Sequence, residues 1–381
     1  MIGIGLESGV RRVVIKIGSS SLNNPQGGLD DQAIAEVAFV IATLKQQGVE
    51  CILVTSGAVA VGMGQLGLNL RPNDLPGRQA LAAVGQGMLI ERYARKFEQY
   101  GIVGAQILLT RVDLALSSHY RNAQNTVEKL LRLGVVPIIN ENDTVAVEEL
   151  CFGDNDTLSA LVSGLVGANL LVIVTDVDGL YSANPKIDPL AQLIKEVPEV
   201  SAVEAMAGGA GTLIGTGGMV TKLRAAKIAT SFGIGMLLLN FTRIRELLNM
   251  TEGHGAEGTY FLPSEHGLAS RKRWIAYASF VEGSIQIDDG AAKALVEEGK
   301  SLLAIGIVQV EGIWERKEII RIVDMRGEEI ARGVSELSSA EVQEVKGLHS
   351  EMILVLFPDF EGDVVVHRDN MTLMGNTCIE I

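Results

Sequence analysis

Residues 140–160 read NENDTVAVEELCFGDNDTLSA, which sets two clusters, Glu141-Asn142-Asp143 and Asp154-Asn155-Asp156, about a dozen residues apart. Carboxylates and carboxamides at that spacing could cap helices, cage a metal, or receive a group carrying an ammonium. Three Gly-rich stretches elsewhere carry Lys, Ser or Thr. In VVIKIGSSSL (13–22) a lysine, Lys16, interrupts an apolar strand-like run, and Gly18-Ser19-Ser20 follows it. An unpaired buried ammonium is costly, so Lys16 either snorkels from an edge strand or meets an anion. In VTSGAVAVG (54–62) the hydroxyl of Ser56 sits at a tight turn, as turn chemistry or as a ligand contact. In GTGGMVTK (215–222) glycines run into a helix with Lys222 one turn inside, which is either a flexible loop with a solvated lysine or an anion site. Two lysines on separate strand-to-loop junctions, with three such turns, suit a nucleoside triphosphate outside the P-loop class.

Other chemistries fit poorly. Gly62-Met-Gly64-Gln-Leu-Gly67 has the form GxGxxG, but the residues after it, LNLRPNDLP, cannot open the helix that a dinucleotide fingerprint needs. GxxxxGK[ST] does not occur. The five histidines are scattered without metal-ligand spacing, and no Ser or Cys has a nearby His partner.

The elements that must position these residues alternate between strand and helix over the first two-thirds of the chain. Strands are expected at 12–18, 50–55, IVGAQILLT, VVPIIN, LLVIVTD and IGMLLLN, with helices near 30–47, 76–99, 119–133, 156–167 and 219–233. Continuous Val/Ile/Leu strands joined by helical crossovers predict an α/β fold with an open, mostly parallel sheet between helices. Ligands in such sheets bind at the carboxyl ends of strands, where Asn140–Asp143 and Thr175-Asp176 fall. The polar run LPSEHGLASRKRW breaks the alternation. The expected division is 1–262 for the α/β domain, 263–279 for a linker and 280–370 for a small, mainly β domain forming a compact barrel. Its strands are expected at SIQID, LLAIGIVQVEG, EIIRIVD, EEIARGVSEL, ILVLF and DVVVH.

The net charge of −14 opposes a nucleic-acid or membrane-surface role. Residues 282–370 hold 19 Asp/Glu against 9 Lys/Arg, a net of −10, so most of the excess lies there. Cys51, Cys151 and Cys378 lack any CxxC spacing and read as reduced thiols. With no apolar run near 18 residues, a cytoplasmic protein is expected.

In this order, VVIKIGSSSL, VTSGAVAVGMGQLG, LLTRVDL, RNAQNT, VPIINENDTVA, GDNDTLSALV, TDVDGLYSANP and GTGGMVTKLRAA resemble the amino acid kinase family. Single motifs such as SGA are weak, but the ordered set is specific. RKRWI and the segment after it resemble a PUA domain. Within the family the resemblance is to members that phosphorylate the γ-carboxylate of L-glutamate, the first step of proline biosynthesis. Aspartate, acetylglutamate, carbamate or uridylate kinases of the same fold are the nearest alternatives, and RNA binding through the PUA-like domain is another. The resemblance implies that Lys16 and Lys222 contact the transferring phosphoryl group and that Asp156 holds both lysines. It implies phosphate contacts from Gly18 and Ser19, and glutamate contacts from Ser56, Asp143 and Asn155. ATP would meet Thr175, Asp176 and the run Thr216, Gly217, Gly218, Met219, Val220, Thr221 and Lys222. It further implies Mg²⁺ carried by the nucleotide, a homodimer or homotetramer, and L-proline as a feedback inhibitor. A γ-carboxylate of pKa about 4.3 is ionised at neutral pH and needs no general base, which accounts for the absent His or Cys constellation.

Overall fold

The computed structural model describes residues 10–22, 28–68, 70–115, 117–146, 155–185, 187–207, 217–252, 256–264, 275, 281, 283–349, 351–358, 362 and 364–374. Thr216, Asp154, Cys151, Cys378 and most of the expected linker lie outside these residues. The chain divides into one unit of 1–113 and 118–268, and a second of 269–381 together with 114–117.

The first unit opens with β1 (Arg12–Ile17), α1 (Ser19–Leu22), α2 (Asp31–Gln46), β2 (Glu50–Val54), α3 (Ala58–Gln65) and α4 (Leu75–Glu98). Next come β3 (Gly104–Leu109), α5 (Arg111–Ala115), α6 (Ser117–Arg132), β4 (Val136–Glu141), α7 (Asn155–Val166) and β5 (Leu170–Thr175). The short strands β6 (Leu180–Tyr181), β7 (Leu193–Ile194) and β8 (Glu196–Val197) precede α8 (Val200–Ala207), α9 (Gly217–Ser231), β9 (Gly235–Asn240) and β10 (Gly258–Phe261). Eight strands form one sheet in the order β3-β4-β2-β1-β5-β9-β10-β8, in which only the β9–β10 pairing is antiparallel. The expected parallel sheet is therefore present. Past IGMLLLN it gains two more strands, β10 and, at the edge, β8, too short for hydrophobic periodicity to reveal.

Alternation along β1 decides where its lysine goes. Val13, Ile15 and Ile17 join the core formed with Ile34, Val37 and Ile41 of α2 and Leu89, Tyr93 and Phe97 of α4. Lys16 must then emerge on the opposite face, because successive strand side chains alternate. That face is covered by α7, which is buried along its length from Asp156 to Val166 because it lies between the sheet and α9. Lys16 thus enters a covered layer and must find a counter-charge there.

The rejected dinucleotide pattern has a packing role. A Cβ on Gly62 would sit 2.0 Å from the carbonyl oxygen of Leu81, and one on Gly85 would sit 1.9 Å from that of Ala58. These two glycines let α3 and α4 approach backbone to backbone. That contact matters for the site because α3 starts directly after Ser56 and Gly57, the latter at φ +107°.

The second unit contains a five-stranded mixed sheet in the order β12-β11-β13-β14-β15, formed by β11 (Gly283–Ile287), β12 (Ile307–Gly312), β13 (Ile319–Val323), β14 (Glu329–Ser335) and β15 (Val366–Leu373). Two expectations are corrected here. ILVLF lies in a helix, Glu351–Leu356, and Ala304–Gly306 is a 3₁₀ turn, so LLAIGIVQVEG is strand only from Ile307. Helices Asp289–Val296 and Ser339–Val345 were also unforeseen, although Asp288 and Ser338 cap them with side-chain oxygens. Short apolar runs do not distinguish helix from strand by periodicity, and caps were the signal to weigh.

Glycine to alanine in a helix interior ordinarily gains stability. Gly85→Ala should do the reverse, lowering the unfolding free energy by about 1–3 kcal/mol through overpacking against α3. Chemical denaturation checks this, and a stabilised variant would contradict the close approach.

Candidate active site

The carboxyl ends of β1, β2, β4 and β5 and the first turns of α3, α7 and α9 enclose a cleft of about 760 Å³. Of the residues expected from the sequence, Lys16, Gly18, Ser19, Ser56, Asp143, Asn155, Asp156, Thr175, Asp176, Gly218, Thr221 and Lys222 line it. Met219 and Val220 belong to the first turn of α9 but are not among the lining residues, Gly217 opens that helix, and Thr216 is not described. The N–H of Gly18 donates to the carbonyl of Val174 at 3.3 Å, so that group is already committed to the sheet.

Asp156 is the electrostatic centre. Its Oδ1 lies 2.5 Å from Lys16 Nζ and its Oδ2 lies 3.1 Å from Lys222 Nζ, while Thr221 Oγ1 donates to Oδ2 at 3.0 Å. The carboxylate is 2% exposed and Lys16 is 7% exposed, so this is an ion triad inside the protein rather than on its surface. Burial works against a charged Asp156, but the ammonium groups of Lys16 and Lys222 outweigh it and hold its pKa below the usual aspartate value. One negative charge faces two positive ones, so the triad carries a net positive charge into the cleft. Lys222 reaches it from the second turn of α9, where it also donates to the Gly218 carbonyl at 3.2 Å.

The other part of the cleft is built from amides, a hydroxyl and a carboxylate. Asn155 Nδ2 lies 2.6 Å from the Thr55 carbonyl, 2.7 Å from Asn140 Oδ1 and 3.0 Å from Ser56 Oγ. Since the nitrogen of Asn155 is turned inward on these acceptors, its Oδ1 remains to accept in the cleft. Ser56 Oγ, serving as an acceptor for Asn155, keeps its own hydrogen for donation. Asp143 follows β4, and burial raises its pKa, with the nearby charge of Arg71 pulling it back only in part. These groups offer two acceptors and a donor within one wall, which is the complement of an ammonium beside a carboxylate. Among the described residues there is no cluster of three or more His, Cys, Asp or Glu able to hold a metal.

Arg71, Arg78, Gln79, Asn140 and Glu141 also line the cleft, and none was assigned a role from sequence. Arg71, Arg78 and Gln79 come from the segment leading into α4 and its first turns, which no motif marked. Asn140 ends β4 next to Glu141 and is 2% exposed. A buried carboxamide at a strand terminus was a legible signal.

The depressed pKa of Asp156 predicts a pH dependence. With the folded value below the unfolded one of about 3.9, the contribution is complete above that value and disappears as pH falls through the folded pKa. Asp156→Asn, which leaves both lysines without a counter-charge, should cost about 3–5 kcal/mol at neutral pH. The gap between wild type and variant in denaturant titrations should close as pH drops below about 4. A gap independent of pH would mean that Asp156 is not the charged partner.

Residues 11–240 match the amino acid kinase family and residues 283–355 match the PUA domain. A glutamate 5-kinase from Desulfitobacterium hafniense (strain Y51) is 62% identical, over 96% of this chain and 99% of its own. Glutamate 5-kinases from Trichlorobacter lovleyi and Moorella thermoacetica are 49% and 47% identical, covering 98% and 97% of this chain and 99% and 97% of theirs. Among solved structures, UMP kinase from Bacillus anthracis aligns with a TM-score of 0.48 at 13% identity, over 67% of this chain and 97% of that one. Among the described residues, no helix is long and apolar enough to cross a membrane. With the family match spanning more than half its length and full-length relatives at such identity, the chain belongs to the amino acid kinase family.

Proposed function

We propose that the protein transfers the terminal phosphoryl group of ATP to the γ-carboxylate of L-glutamate, giving L-glutamyl 5-phosphate for proline biosynthesis. The observation that carries this reading is the division of one cleft into two chemistries. Lys16 and Lys222, both on Asp156, form a positive end, while Asp143, Asn155 and Ser56 form an end suited to an amino acid head group. ATP supplies the transferable group, and Mg²⁺ accompanies its phosphates. A γ-carboxylate oxygen bonds to the terminal phosphorus as the bond to the bridging oxygen of ADP breaks. No proton moves, so no general base is needed.

The chain contributes positioning and charge. Lys16 and Lys222 neutralise oxygens of the group in transit, and Asp156 keeps their ammonium groups aimed at it. Thr175, Asp176, Ser19 and the first turn of α9 border the nucleotide's end. Asp143 and Asn155 Oδ1 accept from the substrate ammonium, which brings Asp143 the counter-charge that its burial requires. Every one of these residues precedes 262. We therefore assign the kinase work to 1–262 and no site residue to 280–370.

Trapping of acyl phosphate as hydroxamate tests this directly. L-Glutamate should support ATP- and Mg²⁺-dependent product, and a preference for aspartate, acetylglutamate or UMP would sink the reading. Lys16→Ala and Lys222→Ala should each lower kcat by roughly 10²-fold or more with smaller changes in KM, the scale of one lost preorganised contact. L-Proline has the same α-carboxylate and a secondary ammonium, so it should inhibit competitively with glutamate. A chain ending at residue 262 should retain hydroxamate formation if it folds.

A further inference from the structure

The long helix α4 is apolar where it is buried, through Leu81, Ala82, Gly85, Leu89 and Phe97, yet the same stripe carries Gln86 and Tyr93. Polar groups in a core stripe are costly unless they are bonded, and both of these reach toward the cleft wall. Tyr93 and Thr55 pair through their hydroxyls at 3.2 Å, next to the carbonyl that receives Asn155. Gln86 Oε1 accepts from Asn140 Nδ2 at 2.7 Å. The other half of the Gln86 amide, Nε2, is buried without a hydrogen-bond partner among the described residues. Leucine or methionine would fill this position without that cost, so the carbonyl oxygen of Gln86 is the part the site uses.

The direction of every amide in the chain follows from two backbone groups that cannot reverse. The N–H of Glu141 donates to Asn140 Oδ1 at 2.9 Å, so that atom is the oxygen and Asn140 Nδ2 must point at Gln86. Asn140 Oδ1 then accepts from Asn155 Nδ2, and the Thr55 carbonyl requires the same nitrogen. Asn155 is left with its oxygen toward the cleft.

We propose that Gln86 is a positioning residue for substrate selection: by accepting from Asn140 it completes, with the Glu141 N–H and the Thr55 carbonyl, the set of bonds that holds the polarity of the Asn140–Asn155 pair, so that Asn155 presents an oxygen to the substrate's ammonium. Without that acceptor, Asn140 Nδ2 is buried and unpaired. Reversal of the Asn140 amide would relieve it but would set an NH₂ against both the NH₂ of Asn155 and the N–H of Glu141. Asn155 can then rotate and present a donor to a substrate group that is itself a donor. Gln86 is not among the cleft-lining residues, so its effect is transmitted wholly through the two asparagines.

This inference rests on glutamate being the substrate, and the experiment separates the two. Hydroxamate formation is compared for L-glutamate and glutarate, which keeps both carboxylates and lacks the ammonium, in wild type, Gln86→Met and Gln86→Glu. Wild type should strongly prefer glutamate, and no preference would count against the proposed function itself. Gln86→Met keeps the volume and removes the acceptor. Its glutamate-to-glutarate ratio of kcat/KM should fall roughly tenfold or more, the scale of a hydrogen bond to a charged group, while the KM for ATP stays within about twofold. Gln86→Glu keeps an acceptor and should hold discrimination within about threefold of wild type. Equal loss on both substrates in Gln86→Met would mark a merely structural residue and overturn the inference. Lost discrimination in folded Gln86→Glu would overturn it as well, even if Gln86→Met did not fold.

Discussion

One carboxylate shared by two ammonium groups, one buried and one half-buried, organises this protein. Lys16 and Lys222 come from β1 and α9, which the chain separates by some two hundred residues, and both take Asp156 as their counter-charge. The desolvation of three ions is recovered only by close geometry, which explains the accompanying Thr221 hydroxyl. It also explains why α7 is buried all round. The helix must carry Asp156 into the space between sheet and α9, and its remaining residues have to be apolar or small to lie there.

The polar chemistry is confined to the ends of strands, while the middles supply a rigid frame. β1, β4 and β5 are buried along almost their whole length and then deliver Lys16, Asn140 and Thr175 at or near their last residues. The glycine contact between α3 and α4 extends that frame to Ser56. A helix that could not approach its neighbour so closely would move the start of α3, and the hydroxyl with it.

Much of this was legible in the sequence because the fold places chemistry where a strand stops. A lysine in an otherwise apolar strand, an aspartate opening a helix and glycines before Lys222 are local signals, and the structure gathers all of them in one cleft. Gln86, Arg71 and Arg78 were not legible. Gln86 occupies a core position of a helix, and its meaning depends on Asn140, more than fifty residues away. In the second unit, ILVLF read as strand because five apolar residues satisfy both periods, and only tertiary packing decides between them.

Asn155 and Asp156 are consecutive residues with separate tasks. The first belongs to the wall of amides, the second to the ion triad. Their Cα atoms are held about 3.8 Å apart by one trans peptide. The spacing between Asn155 in the wall of amides and Asp156 in the ion triad is therefore set by one peptide unit. If the first turn of α7 shifts, both sites shift together. Evolution could then remodel the loops after β2 and β4 to admit a different acceptor without recalibrating that spacing.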